Sequence, residues 1–198
     1  MLYIVVMAAG ESKRFGGCKL LAEVDGVTVL QLAITKAEQL VGQKGAIGVI
    51  TGAWHQQIQN AVQKGTVNEH PLLFNPDWSQ GLGNSIAFAV KHIPDEADGL
   101  LVMLADQVAV RSEDLGCLAR TYKQHDIVCS LYAGKNGAPA IFNRSVFGQL
   151  AQLSGDRGAK NMLYNAEFDI KAISIPSAEW DIDSPEELQI FLDKGGSK

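Results

Sequence analysis

Short apolar runs punctuate the chain at Tyr3–Met7, Ala46–Thr51, Leu100–Leu104 and Ile127–Leu131. Each is strand-sized and none alternates with polar residues, which is the pattern of strands covered on both faces in a parallel sheet. Between the runs the period changes. Leu30, Ala33, Ile34, Ala37 and Leu40 recur at spacings of three and four, as one face of a helix requires, and Ile86, Ala89, Val90 and Ile93 repeat that spacing. Ser112 to Tyr122 opens with a serine suited to capping and two acids that favour a helix N-terminus. Ser184-Pro185-Glu186-Glu187 supplies a cap, a proline for the first helical position and a glutamate placed to close a capping box. Strands alternating with helices predict one three-layer α/β/α domain over residues 1–194, with a mostly parallel sheet and a frayed tail over 195–198. In such a domain the site is expected beyond the carboxyl ends of the strands.

Composition narrows the function classes. The 198 residues carry 17 basic and 22 acidic side chains, a net charge of −5, which argues against a broad nucleic-acid surface. A single basic loop can still hold a small anion against that average. No apolar run reaches membrane-span length, and the Met-Leu-Tyr-Ile start has no basic region of a secretory signal. Cys18, Cys117 and Cys129 are odd in number and widely spaced, and His55, His70, His92 and His125 show no ligand-like spacing. These features point to a reducing compartment, the cytoplasm, with neither membrane nor nucleic-acid partner and no protein-built transition-metal site.

The first strand runs into Ala8-Ala9-Gly10-Glu11-Ser12-Lys13-Arg14-Phe15-Gly16-Gly17-Cys18-Lys19. Glycines that let backbone N–H groups approach, together with three cations, suit the wrapping of a polyphosphate. The spacing GxGxxG is absent, which removes the main support for a dinucleotide-binding oxidoreductase. GxxxxGK[ST] is absent as well, since Phe15 and Gly16 stand where its second glycine and lysine would fall. A solvated surface loop is the bland alternative.

Val6-Met7-Ala8-Ala9-Gly10-x-Ser12-x-Arg14-Phe15-Gly16-x-x-Lys19-Leu20 resembles the signature loop of the molybdopterin nucleotidyltransferases, and most closely their cytidylyltransferase branch, in which the second small residue is Ala. Asn75-Pro76-Asp77-Trp78-Ser79-Gln80-Gly81-Leu82-Gly83-Asn84-Ser85-Ile86 is similar to that family's base-recognition segment, and Leu104-Ala105-Asp106-Gln107 to its metal-binding strand end. Gly137-Ala138-Pro139-Ala140-Ile141-Phe142 and Gly155-Asp156-Arg157-Gly158-Ala159-Lys160 resemble its second-substrate motifs, and Asp181-Ile182-Asp183-Ser184-Pro185-Glu186-Glu187 its closing acidic motif. The blocks cover nearly the whole chain in the expected order. Two positions depart from the pattern. Phe15 stands where Met is common, and Val108 replaces the proline after Asp-Gln, which bears on the backbone rigidity beside Asp106.

The resemblance implies a Rossmann-like nucleotidyltransferase fold and transfer of CMP from CTP to the terminal phosphate of a molybdopterin-type molecule, with Mg²⁺ as cofactor and release of pyrophosphate. It also allows transient contact with a molybdenum enzyme that receives the product. The residues fit this chemistry. Asp106 closes an apolar strand, where a carboxylate has no packing role, and Mg²⁺ takes one or two carboxylates plus phosphates. By itself it is equally a turn or helix-capping aspartate, and the basic loop and the resemblance favour the metal. Lys19 and Arg14 are the candidates for triphosphate contact and catalysis, with Ser12 and the Gly10 backbone completing a cradle that starts at Ala8 and Ala9. Asp181 and Asp183 fall on one side of an extended segment; Asp183 is preferred as the second metal ligand, and Ser184 is assigned to capping.

Gly81 permits close approach of a base, while Gln80, Asn84 and Ser85 supply donors and acceptors near a helix expected to begin about Asn84. Trp78 either stacks on the base or packs in the core. On the second-substrate side stand Pro139, Asp156 and Lys160: Asp156 is equally a turn residue, and Lys160, expected to open a helix, meets a phosphate or lies solvated. Cys18, in a basic loop, is expected to favour its thiolate but to be incidental. Rival readings are a GTP donor, another phosphorylated acceptor, or a cofactor-binding chaperone without turnover.

Overall fold

The computed structural model describes residues 1–41 and 46–195, so residues 196–198 of the expected tail lie outside the described residues. Strand β1 (Leu2–Ala8) is buried at every position from Tyr3 onward. Parallel neighbours flank it on both sides: Ile4 pairs with Ile47 of β4 (Ile47–Thr51) and with Leu101 of β6 (Gly99–Leu104). Alternate residues face opposite cores, as the twofold period of a strand requires. Ile4, Val6 and Ala8 pack with helices α1 (Val29–Val41), α2 (His55–Gln63), α4 (Ser112–Thr121) and α6 (Pro185–Asp193). Tyr3, Val5 and Met7 pack with α3 (Leu82–Val90) and α5 (Phe147–Leu150). This is the three-layer α/β/α arrangement that the sequence predicts.

The seven-stranded sheet runs β5-β4-β1-β6-β8-β7-β9, with β5 at Leu72–Phe74, β7 at Ile127–Tyr132, β8 at Lys135–Asn143 and β9 at Ile170–Ser174. Only β8 is reversed, antiparallel to both β6 and β7. Its amino end therefore reaches the same edge as the carboxyl ends of the other six strands. A separate two-stranded hairpin joins β2 (Glu23–Val24) and β3 (Val27–Thr28).

Three local expectations are corrected. Ser112 does not cap α4: Arg111 holds the extended cap position, its N–H donating to Asp114 Oδ2 at 2.9 Å, while the Ser112 hydroxyl bonds Gln39 across to α1. Helix α3 starts at Leu82, two residues ahead of Asn84, where Gly81 N–H donates to the Trp78 carbonyl at 3.2 Å and Gly83 N–H to the Gly155 carbonyl at 2.8 Å. Lys160 lies in a turn before the single helical turn Met162–Tyr164 and opens no helix. The capping box of α6 forms as read: Glu187 N–H donates to Ser184 Oγ at 3.2 Å, and Ser184 N–H to Glu187 Oε2 at 2.9 Å.

Candidate active site

From β1 the chain passes outward to β4 and β5, then returns to β6 on the other side of β1. The loops leaving β1 and β6 thus diverge at a switch point, where open α/β sheets bind ligands. Ala105 N–H donates to Met7 carbonyl at 3.2 Å and holds the two exits together. In the loop after β1, Phe15 and Gly16 N–H both donate to the Ser12 carbonyl, at 3.0 and 3.2 Å, so the loop closes on itself. Ser12 sits in the left-handed region at φ 56°. The Trp54 indole donates to the Glu11 carbonyl at 2.9 Å and ties the loop to α2. A cleft of ≈ 310 Å³ opens beneath, lined by Ala8, Gly10, Ser12, Arg14, Lys19, Asp106 and Asp183 among others.

Lys19 is the hub of this cleft. Its side chain is buried, with Nζ 2.6 Å from Asp106 Oδ2 and 2.7 Å from Asp183 Oδ1. The second oxygen of Asp183 takes Arg14. Burial alone would depress the Lys19 ammonium, but the two carboxylates overcome it and raise its pKa above the ordinary lysine value. For Asp183, burial pushes upward, while the Lys19 hydrogen bond and the charges of Lys19 and Arg14 outweigh it and lower the pKa. Asp181 is raised by burial and by the neighbouring Asp183 and Asp106 charges. Asp106 Oδ1 is buried with no hydrogen-bond partner.

The backbone at Asp106 is braced without a proline. Val108 N–H donates to the Asp106 carbonyl at 2.9 Å, a bond proline has no hydrogen to make. Gln107, also buried, donates through Nε2 to the Ala138 and Ala178 carbonyls at 3.0 and 2.7 Å. Lys36, its amine depressed by burial to about 8, caps the Val108 carbonyl at 2.7 Å. Sequence reading named Gln107 only as part of a motif; its bracing role has no local signal because both acceptors lie far along the chain.

A wider cleft, ≈ 410 Å³, continues from Gly10 and Asp106 toward Trp78, Gly81, Ser85 and Asp156. Gly81 has φ 105°, and a Cβ there would fall 2.5 Å from the Gly155 carbonyl carbon, so the loop from Ser154 packs backbone to backbone on it. Trp78 packs against the core, as one of the two readings had it, and also lines this cleft. Gly81 and Ser85 line the cleft; Gln80 and Asn84 stand outside its lining, in a network on buried Asn75. Asn75 Nδ2 donates to Asn84 Oδ1 and to Ser85 Oγ, each at 3.1 Å.

Of the second-substrate residues, Asp156 joins this cleft. Lys160 lines an adjacent cavity of ≈ 250 Å³ with an apolar floor of Leu82, Ile86 and Leu104, and Lys135, Arg157 and Tyr132 also border it. Pro139 is not in the lining; its carbonyl accepts the Ser130 hydroxyl at 2.8 Å. Lys135 and Tyr132 carried no sequence signal, since only the β7–β8 hairpin brings them here. Cys18 is the reverse of the thiolate expected: burial raises its pKa, with backbone hydrogen bonds only partly opposing. A larger cavity, ≈ 650 Å³, lies beyond Val108–Ser112 against α1 and carries neither the glycine loop nor the paired carboxylates.

A glycine-bearing basic loop, an anchored lysine and two converging carboxylates at the switch point of a mostly parallel sheet define a nucleotide-handling α/β domain. Residues 4–170 match the model of the MobA-like NTP transferase domain, and the chain belongs to that family of nucleotidyltransferases. No curated protein matches it. Among solved structures it is similar to Rv0371c from Mycobacterium tuberculosis H37Rv (TM-score 0.80, 23% identity, 98% of each chain covered), which has also been solved in complex with manganese. It is similar as well to a CMP:2-keto-3-deoxy-manno-octonic acid synthetase complexed with CTP (0.76, 15%, covering 98% of this chain and 97% of that one). A third is the molybdopterin-guanine dinucleotide biosynthesis protein A of Archaeoglobus fulgidus (0.69, 13%, 98% of each). At these identities the likeness is one of fold.

Proposed function

We propose that this nucleotidyltransferase moves CMP from CTP to the terminal phosphate of a molybdopterin-type acceptor, releasing pyrophosphate, in the cytoplasm and with Mg²⁺. The observation that carries the reading is the convergence of Lys19, Asp106 and Asp183 beneath the Gly10–Arg14 loop. The donor set fits a hard divalent cation. Asp106 Oδ1 is buried and unpartnered beside a second carboxylate, and among the described residues no cluster of three or more ligating side chains forms. Two carboxylates completed by phosphate oxygens and water are what Mg²⁺ accepts. Bound there, Mg²⁺ would neutralise charge on the reacting phosphate.

The protein's own groups do the positioning on which phosphoryl-type transfer depends. Backbone N–H groups near Gly10 and Ser12, with Lys19 and Arg14, hold the triphosphate and take up charge on the departing pyrophosphate. The attacking phosphate oxygen is already anionic, so no general base is needed, and no histidine lines either part of the cleft among the described residues. Gly81 and Trp78 bound the space for the base. The cavity bordered by Lys135, Arg157 and Lys160 offers cations to an acidic acceptor over an apolar floor. The CTP-bound synthetase and the molybdopterin-guanine dinucleotide protein of the same fold support the substrate classes.

Thermal unfolding with Mg²⁺ and CTP, GTP, ATP or UTP tests the donor. A ligand at about a hundredfold excess over Kd adds about 2.7 kcal/mol, a rise in Tm of roughly 5–10 °C for a domain of this size. A rise selective for CTP and dependent on Mg²⁺ is expected. Selectivity for GTP would replace the donor, and nucleotide binding without pyrophosphate release in the presence of acceptor would make the chain a carrier.

A further inference from the structure

At Asp183 both carboxylate oxygens are taken, Oδ1 by Lys19 Nζ at 2.7 Å and Oδ2 by Arg14. At Asp106 only Oδ2 is taken, by Lys19 at 2.6 Å, and Oδ1 is without a partner. A divalent cation that ligates both aspartates therefore finds one oxygen of Asp106 free of a cation, while each oxygen of Asp183 already contacts one. It would also face an ammonium touching the same two carboxylates, a like-charge contact in a half-buried cleft where repulsion is poorly screened. We propose that Lys19 and the metal compete for Asp183 and Asp106, so that the free protein excludes the bare ion and the metal enters only together with the nucleotide, whose phosphates draw Lys19 away. This inference rests on the metal reading of Asp106 and Asp183 given above.

Charge balance points the same way. Lys19 and Arg14 offset Asp106 and Asp183, so a bare divalent ion would add two positive charges to an already paired set, with Asp181 as the further neighbouring acid. A metal–triphosphate complex is net anionic and suits a cleft that offers the backbone cradle at Gly10 and Ser12, with Lys13, paired to Glu11 at 3.2 Å, at its margin. The lysine has somewhere to go. It opens the single helical turn Lys19–Leu21, and its flexible stem ends in the same cleft that Ser12 and Gly10 line, so a pivot of the ammonium reaches phosphate without moving the backbone. The arrangement makes Lys19 the device that orders addition: it keeps the two carboxylates drawn together when empty and becomes a phosphate ligand when the substrate arrives.

The test measures Mn²⁺ bound to the full chain by water-proton relaxation enhancement, alone and with the α,β-methylene analogues of CTP and GTP. The wild type is expected to bind Mn²⁺ alone weakly, and about tenfold or more tightly once a nucleotide analogue is present. Lys19→Met is expected to bind Mn²⁺ alone at least about tenfold more tightly than wild type and to lose most of the gain from the analogue. Lys19→Arg, which keeps the cation, stays weak for Mn²⁺ alone. Removing Lys19 strands two carboxylates, so melting is followed in parallel: Mn²⁺ alone raises the Tm of Lys19→Met and leaves that of the wild type unchanged. If Lys19→Met does not fold, the neutral Lys19→Gln is measured in its place. Equal Mn²⁺ affinity of wild type and the neutral variant, with binding beside the analogue still abolished by Asp106→Asn, overturns the competition and leaves the metal reading standing. Binding beside the analogue that Asp106→Asn leaves intact overturns the metal reading, and the competition with it.

Discussion

The backbone N–H of Ile182 donates to the carbonyl oxygen of Asp106 at 3.1 Å. That bond lays the closing acidic segment against the exit of β6 and sets Asp183 beside Asp106, with Lys19 between them. Ile182 itself is buried in the core beside α6, so the segment is held by packing on one side while Asp183 faces the cleft.

Asp106→Ala is expected to abolish turnover while the fold persists, since the strand before it is fully packed. Pyrophosphate release with both substrates reads the loss. Retention of more than about a tenth of wild-type activity, a barrier change under roughly 1.4 kcal/mol, would remove the metal role.

Asp183 has a lower pKa folded than free. Its ion pair therefore stabilises the fold above the unfolded carboxylate value of about 3.9, and that stabilisation disappears as the pH falls through the folded value. Melting curves taken between about pH 3 and pH 7 should show a shallower acid decline for Asp183→Asn than for wild type. Identical acid limbs would mean that the pair contributes nothing to the fold.

Gln107→Leu leaves the Ala138 and Ala178 carbonyls without their donor. The expected cost is about 1–3 kcal/mol by denaturant unfolding. Activity should fall further than stability accounts for, because the brace beside Asp106 is lost. Unchanged activity in the folded variant would make Gln107 a packing residue only.

Gly81→Ala combines a left-handed φ of 105° with a Cβ pressed on the Gly155 backbone. It should lower stability and weaken nucleotide binding together, because the same loop contact walls the cleft. Gly148→Ala, with open space at its Cβ and no positive φ, serves as the neutral comparison. Equal behaviour of the two variants in a nucleotide titration would dissociate that loop from the site.

Ser184→Ala removes the α6 cap and should cost about 1 kcal/mol, or about 2–4 °C in Tm. Nucleotide affinity should hold, since Ser184 faces the helix backbone while Asp183 faces the cleft. A drop in affinity larger than the drop in stability would show that the cap positions Asp183.

The sequence by itself determined the elements whose pattern is local. Four apolar runs became β1, β4, β6 and β7. The helices at Leu30 and Ile86 formed on the spacing of three and four and the helix at Ser184 on its cap, while the helix at Ser112 kept its acidic first turn but took Arg111 as its cap. The basic loop after β1 and Asp106 after β6 were legible for the same reason, being glycines, cations and a carboxylate at the ends of strands. Tertiary structure alone decided β8: Gly137 and Pro139 break the run, and the strand exists because β6 and β7 offer it hydrogen bonds on both sides. It alone swung Asp156 to the cleft of Trp78 and Gly81 and brought Lys135 and Tyr132 to the adjacent cavity. It also half-buried Cys18, and that desolvation raises the thiol's pKa where the basic loop had looked suited to a thiolate. Local pattern encodes dihedral preference and one buried face. Which distant groups share a cleft, and hence their charge state, depends on sheet order and on desolvation, which are properties of the whole packed chain.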